Sequence, residues 1–109
     1  MKIEIRTEQE KPILILIGSL DTTSAPLLEK RLQAFMEEGK DHLLLDFTLV
    51  DYLSSAGLRV LFSFSQKLEK KKGKLVLFSL SDEVMQVIRM AGFQSRLKIA
   101  QNEAQALQK

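Results

Sequence analysis

Short runs of large aliphatic residues alternate with stretches of helical periodicity along this chain, and this alternation constrains the fold more than any other feature. The runs lie at residues 13–17, 43–47 and 75–78, each between polar flanks. Such runs are typical of strands covered on both faces. Between them, apolar residues recur every three or four positions, which is the spacing of an amphipathic helix. The pattern predicts an α/β fold in which helices connect the strands.

The order of these segments predicts the sheet type. Residues 2–7 alternate Ile3 and Ile5 with polar neighbours, and a polar turn at 8–12 leads into the first aliphatic run, which together indicate a hairpin. Helices are predicted over 25–39, 57–72, 81–92 and 102–108, with a last short strand at 97–99. The order β-β-α-β-α-β-α-β-α predicts one domain over residues 1–109 with a mixed, four- to five-stranded sheet.

Composition excludes several classes of protein. The net charge is only +2, from 16 basic and 14 acidic residues mixed along the chain, so we expect no nucleic-acid partner. The chain has no cysteine, which excludes disulfides and thiolate metal sites. The longest aliphatic runs are too short to cross a bilayer, so we expect no membrane partner and a cytoplasmic location.

Two adjacent serines, Ser54 and Ser55, stand between the third predicted strand and the helix that follows it. A loop in this place lies at the carboxyl end of a strand, where open α/β sheets commonly have their sites. Either serine is suited to cap the helix by accepting from a free N–H group of its first turn. The same N–H groups and the helix dipole also favour a phosphate attached there. Spacing alone leaves both interpretations open.

Helical spacing predicts a second surface beside these serines. Ser55, Leu58, Arg59, Phe62 and Gln66 fall on one stripe, apart from a predicted core stripe of Val60, Leu61, Phe64 and Leu68. We therefore expect Leu58 and Phe62 to stand outside the sheet-facing side of the helix. They would either contact a partner or pack against a neighbouring helix.

Four segments together resemble a known family. "GSLD" at 18–21, "LLLDF" at 43–47, "YLSSAGLRVL" at 52–61 and "RMAGF" at 89–93 look like the successive landmarks of the STAS domain, the family of bacterial anti-sigma factor antagonists. The likeness covers nearly the whole chain and has the same element order. The segment around Ser54 and Ser55 is its most specific part.

The resemblance implies a phosphorylated partner-switching regulator of transcription. In this family the unphosphorylated antagonist binds an anti-sigma factor with a kinase-like ATP-binding fold, which frees the sigma factor. That kinase then phosphorylates one serine, and a serine phosphatase removes the phosphate. Matching the family's Asp-Ser-x-Gly-Leu motif places the acceptor at Ser55 and puts Ser54, a rival acceptor, where many members have aspartate.

The resemblance also implies which residues contact the partner. Asp21 and Asp46 match the loop and the strand end that flank the acceptor in the family. A turn or cap role for Asp21, and a strand-end hydrogen bond for Asp46, are equally consistent with their positions. The expected partner-binding residues are Asp21, Thr22, Asp46, Ser54, Leu58, Arg59 and Phe62.

Three alternatives use other chemistry or no switch. An enzyme would need a base beside a serine nucleophile, but there is no Gly-x-Ser-x-Gly motif, and the single histidine, His42, starts the third predicted strand at its opposite end. We therefore expect no catalytic residue, metal or cofactor. No phosphate-binding glycine motif supports nucleotide binding. Because Ser54 replaces aspartate, an unphosphorylated scaffold subunit of a regulatory or lipid-transport assembly remains open.

Overall fold

The computed structural model describes residues 1–109 and confirms the predicted order of elements. The strands are β1 (Lys2–Glu8), β2 (Lys11–Leu20), β3 (His42–Leu53), β4 (Lys74–Phe78) and β5 (Lys98–Ala100). The helices are α1 (Ala25–Glu37), α2 (Ser55–Lys70), α3 (Asp82–Met90) and α4 (Glu103–Gln108). None of these helices has the length and apolar character needed to span a membrane.

The five strands form one mixed sheet in the order β1-β2-β3-β4-β5. β1 and β2 form the predicted antiparallel hairpin, and every other neighbouring pair is parallel. The hairpin loop consists of Gln9 and Glu10, whose φ angles are both positive (51° and 65°). Positive φ at both loop residues gives a twist that matches the strands of a two-residue hairpin. The parallel pairs require the crossover helices that the sequence predicts.

Helices α1, α2 and α3 cover one face of the sheet, which we call the three-helix face. Its core is a cluster of 20 buried residues drawn from β2, β3, β4, the three helices and the segment before β5. Leu61, Phe64 and Leu68 of α2 belong to it, as their spacing predicts. Val60 differs, because it is only half-buried and lies toward α1.

The other face, the α4 face, has a smaller core. Its six buried residues are Ile13, Leu44, Val76, Phe78, Ala100 and Ala106. Polar contacts add to the attachment of α4: the Arg6 guanidinium of β1 forms a two-point ion pair with the Glu103 carboxylate, and Lys11 Nζ donates to the Leu107 carbonyl at 3.0 Å. The C-terminal helix is therefore attached by charge as well as by apolar packing.

Strand β3 is longer than the sequence indicates, since it continues to Leu53 instead of ending near Phe47. Its pairing with β2 shifts register between Ile15 and Ile17. Beyond the shift the buried residues are Phe47, Val50 and Leu53, which are three apart. A bulge of this kind breaks the two-residue alternation by which a strand is recognised in a sequence. The loop before α2 is consequently only Ser54.

Candidate functional site

Ser54 is the N-cap of α2, which settles which of the two serines has the capping role. Its backbone is extended, and its Oγ accepts from the Gly57 N–H at 3.2 Å. Its own N–H donates to the Leu20 carbonyl at 2.9 Å, so the turn is also tied to the end of β2. Ser54 is half-buried in these contacts. A serine in this arrangement stabilises the start of the helix.

Ser55 is the first residue of α2 and is exposed. The N–H groups of Ser55 and Ala56 have no hydrogen-bond partner in the protein. These free donors and the positive end of the helix dipole lie around the Ser55 side chain. The two serines are therefore adjacent in sequence but different in environment, because one hydroxyl is engaged and the other is free.

Gly57 allows α2 to begin close against the end of β2. A Cβ at this position would lie 2.6 Å from Leu20 Cγ and 2.9 Å from the Leu20 carbonyl oxygen. Both distances are shorter than side-chain carbons tolerate, so a larger residue would push the first turn of α2 outward. The close approach places Ser55 beside the loop that follows β2.

Asp21 orders that loop. Its carboxylate accepts from the backbone N–H groups of Thr23 and Ser24, each at 3.0 Å. The bond from the Ser24 N–H is the main cause that lowers the pKa of Asp21 below its ordinary value. Ser24 Oγ in turn donates to the Ser19 carbonyl at 2.7 Å. Asp21 thus has the turn role that the sequence left open beside partner contact.

A groove of about 330 Å³ lies between α1 and α2 next to Ser55. We call it the α1–α2 groove. One charged residue from each helix, Glu29 and Arg59, lines it, and Thr22 stands at its loop end. The remaining lining residues are Ala25, Pro26, Ala56, Val60 and Ser63. Arg59 is exposed, as the predicted surface stripe requires.

Of the two alternatives for Leu58, contact with a partner is wrong. Leu58 is only 3% exposed and belongs to the same core cluster as Val84 and Ile88 of α3. Helical spacing alone does not show how wide the buried side of a helix is, and Leu58 lies within the buried side of α2. Leu58 therefore presents no surface to a partner.

Phe62 packs against a neighbouring segment and also stays partly accessible to a partner, so it combines the two alternatives that its spacing allows. Its ring packs against Phe93, in the segment after α3, with the centroids 4.9 Å apart and the planes tilted by 33°. It remains half-buried and lines a second groove with Gln66, Glu69, Ser95 and Arg96. Phe62 and Arg59 thus face different grooves on either side of the exposed ridge that includes Ser55.

The structure does not bring Asp46 to this site. Asp46 is not at a strand end, because it pairs with Ile15 and Phe78 inside the sheet and β3 continues for roughly 20 Å beyond it. Its Oδ1 accepts from the Thr48 N–H at 2.9 Å and from the Thr48 hydroxyl at 2.6 Å, at the register shift of β3. The negative charge of Asp46 is one of the causes that raise the pKa of Arg6, and Arg6 also contacts α4. The expectation that Asp46 lies at a strand end is therefore wrong. Asp46 lies at the bulge of β3, on the α4 face of the sheet.

Sequence reasoning missed residues at the end of β3. Ser19 Oγ donates to the Asp51 carboxylate at 2.8 Å, which links β2 to β3 just before the serines. Leu49 and Tyr52 are both more than half exposed. The only available signal was the three-residue spacing of the buried positions, which reads as a loop unless the bulge is known.

His42 lies at the start of β3, as predicted, with Nδ1 3.0 Å from Asp41 Oδ1. It is therefore at the opposite end of the strand from Ser55. The chain contains no group of three or more side chains of metal-ligating type that could hold a metal ion. The residues near Ser55 order a loop and offer free N–H groups to an anion, and the single histidine is not placed to act as a base there.

Comparison with known proteins gives consistent results. A family model described as STAS domain matches residues 2–106. The chain is 35% identical to BtrV of Bordetella bronchiseptica over 94 residues, which cover 86% of this chain and 81% of BtrV. It is 28% identical to the anti-sigma-B factor antagonist of Listeria monocytogenes over 106 residues, 96% of this chain and 93% of that protein.

Two solved structures show the same fold. A protein from Thermotoga maritima superposes with a TM-score of 0.91 at 20% identity, over 97% of this chain and 92% of that one. The Bacillus cell fate determinant SpoIIAA in its phosphorylated form gives a TM-score of 0.74 at 17% identity, over 98% and 97% of the two chains.

Proposed function

Because the chain belongs to the STAS domain family, we propose that it is an anti-sigma factor antagonist that is switched off by phosphorylation of Ser55. In its unphosphorylated form it binds an anti-sigma factor that has an ATP-binding fold and serine kinase activity. Phosphorylation releases the anti-sigma factor, and a serine phosphatase restores binding. The protein is then the substrate of two enzymes, not an enzyme itself, and it acts in the cytoplasm, where sigma factors direct transcription.

The observation that carries the choice of Ser55 is the contrast with its neighbour. The Ser55 hydroxyl is exposed and makes no hydrogen bond, whereas the Ser54 hydroxyl is engaged by the Gly57 N–H in a half-buried cap. A kinase needs an acceptor oxygen that it can reach without unfolding the helix start. Ser55 meets that requirement, and its position in the motif agrees with the family pattern.

The surroundings of Ser55 fit both states of the switch. The free N–H groups of Ser55 and Ala56 and the helix dipole stabilise a phosphate there, so phosphorylation leaves the fold intact. The phosphate adds a charge of about −1.5 to −2 at neutral pH. Such a charge opposes docking of a partner surface that is apolar or acidic, since it would have to be desolvated or repelled in the interface.

The proposed docking surface consists of the exposed groups around Ser55. These are the loop ordered by Asp21, with Thr22 at its tip, the α1–α2 groove with Arg59, and the outer edge of Phe62. Ser54 supports this surface through its cap and its bond to Leu20. Leu58 and Asp46 are not part of it, since the first is buried and the second lies at the bulge.

A binding titration tests the switch. The anti-sigma factor that co-purifies with the Ser55→Ala protein from the native bacterium is titrated with wild type, Ser55→Ala and Ser55→Glu. We expect Ser55→Ala to bind like the wild type and Ser55→Glu to bind at least about tenfold more weakly, because a carboxylate carries part of the phosphate charge. The matched control is Gln108→Glu, which adds the same charge on α4 and should leave binding unchanged.

Three results would contradict the proposal. Equal binding by Ser55→Glu and Ser55→Ala would place the docking surface elsewhere. Equal weakening by Gln108→Glu would show a general effect of net charge, not a switch at Ser55. If the co-purifying assembly contains no protein with a kinase fold, the scaffold alternative replaces the switch.

A further inference from the structure

Strand β1 is an unprotected edge of the sheet. Its only hydrogen-bonded neighbour is β2, so every second N–H and C=O along its seven residues is unpaired on the outer side. The opposite edge strand, β5, has only three residues. A long free edge is a template for a further strand.

The side chains of β1 divide cleanly between the two faces of the sheet. Ile3 and Ile5 lie opposite Leu16 and Leu14 of β2 and therefore project to the three-helix face. Ile5 is 40% exposed, one of few large apolar side chains with so much contact with solvent. The charged residues project to the other face in alternating sign along the strand, Lys2, Glu4, Arg6 and Glu8.

This charge order is self-complementary along its whole length in only one register. When two copies extend one sheet about a two-fold axis, their edge strands run antiparallel and opposite residues project to the same face, so the axis passes through a residue of β1. With the axis at Ile5, Lys2 lies opposite Glu8 of the second copy and Glu4 lies opposite its Arg6. With the axis at Glu4 or at Arg6, like charges face each other. An axis two residues to either side of Ile5 pairs only half as many opposite charges.

The other face agrees with the same register. An axis at Ile5 sets Ile5 against its own copy and Ile3 against Thr7, so the half-exposed isoleucine becomes covered. Lys2 with Glu4 and Arg6 with Glu8 form two exposed pairs within β1, each 3.4 Å long. Lys2, Glu4 and Glu8 can therefore exchange partners, whereas Arg6 keeps its ion pair with Glu103 and would contact Glu4 of the second copy in addition. The charges thus select one register, and the apolar residues are compatible with it.

We propose that the β1 edge binds a second copy of this chain, so that two domains form a continuous ten-stranded sheet with the two-fold axis at Ile5. This dimer does not depend on the proposed switch. Both Ser55 residues stay accessible in the dimer, because each follows β3, two strands away from the shared edge. A dimer would present two docking surfaces to anti-sigma factors at once.

Sedimentation equilibrium of the full chain tests this dimer. We expect a concentration-dependent monomer–dimer equilibrium below about 1 mM protein, as for interfaces under ~1,200 Å². Glu4→Lys places a lysine opposite Arg6 of the second copy, twice per dimer, and should raise the dissociation constant about tenfold or more. The matched control Glu37→Lys, an equal change of charge on α1, should leave it unchanged.

A charge-swap mixture makes the register itself testable. Lys2→Glu alone and Glu8→Lys alone each face a like charge in their own dimer. Glu8→Lys also removes the exposed contact between Glu8 and Arg6 but leaves the Glu103 carboxylate in place. Both should dimerise more weakly than the wild type, whereas their equimolar mixture should form a heterodimer with wild-type affinity. The proposal would be overturned if the chain stayed monomeric at about 1 mM, or if none of these changes altered the dimer. The β1 edge would then bind a strand of another protein or remain exposed to solvent.

Discussion

The two faces of the sheet are stabilised by different means. On the three-helix face, 20 buried residues from three helices and the strands form one core, and α2 starts from it with its first turn fixed against β2. On the α4 face, five buried strand residues are covered by α4, a helix of six residues that adds Ala106 to this core. An ion pair and a lysine hold α4 to β1 and β2. The face with the larger core carries the candidate site. A charge added at Ser55 therefore acts on a rigid support, which suits a switch that changes binding without changing the fold.

The largest expected difference between the faces is in the cost of removing one leucine side chain. Leu61→Ala removes a fully buried side chain from the three-helix core and should lower the free energy of unfolding by about 2–5 kcal/mol. Leu107→Ala removes a half-buried side chain from α4 and should cost less than about 1.5 kcal/mol. Urea unfolding of both variants measures the difference, and equal costs would show that the two faces contribute alike.

Gly57→Ala tests whether the first turn of α2 is as tightly supported as the contacts indicate. The new methyl group meets Leu20, so we expect a loss of about 1–3 kcal/mol in the free energy of unfolding and weaker partner binding, despite the better helix propensity of alanine. Lys70→Ala, an exposed change at the other end of the same helix, is the control and should leave both nearly unchanged. A Gly57→Ala protein as stable as the wild type would mean that the helix start can move.

The two serines should differ in their contribution to stability. Ser54→Ala removes the cap and should cost about 1 kcal/mol of unfolding free energy. Ser55→Ala removes an exposed hydroxyl without a partner and should change stability by less than about 0.5 kcal/mol. Thermal unfolding of the pair checks this, and the reverse order would exchange the roles of the two residues.

The smallest expected effect is the dependence of the α4 attachment on pH. The Arg6 guanidinium holds the pKa of Glu103 below its ordinary value of 4.5, chiefly through their hydrogen bond. A carboxylate with a lowered pKa in the folded state contributes stability above its unfolded pKa and loses that contribution as the pH falls through its folded pKa. Glu103→Gln should thus be less stable than the wild type at pH 7, by less than about 1 kcal/mol because the pair is partly exposed.

The measurement for this last prediction is the stability gap between wild type and Glu103→Gln as a function of pH. The gap should be constant near neutrality and should narrow as the pH falls from about 4.5, the ordinary pKa, toward the lower pKa of Glu103 in the folded protein. Gln105→Glu, on the same helix, would not serve as a control because Gln105 contacts the Gln101 N–H. The suitable control is Gln108→Glu, on the same helix. If the stability gap between wild type and Glu103→Gln widened on acidification, groups other than Arg6 and Glu103 would hold α4 to the sheet.

The sequence predicted those parts of the molecule that local periodicity determines. The hairpin, the three crossover helices and the buried strands follow from spacing and from turn residues, and the position of Ser54 and Ser55 at a helix start follows from them. Three features could not be read in this way. The bulge hides the end of β3 and separates Asp46 from the site. The buried side of α2 includes Leu58, which its spacing does not show, and the α1–α2 groove depends on how two helices pack.

The most direct test of the proposed switch is phosphopeptide and intact-mass analysis of the protein isolated from its native cells, with and without phosphatase treatment. We predict a single phosphate on Ser55 in part of the molecules and its loss on treatment, with a changing phosphorylated fraction as growth conditions vary. An unphosphorylated protein under every condition, or a phosphate confined to Ser54, would contradict the switch.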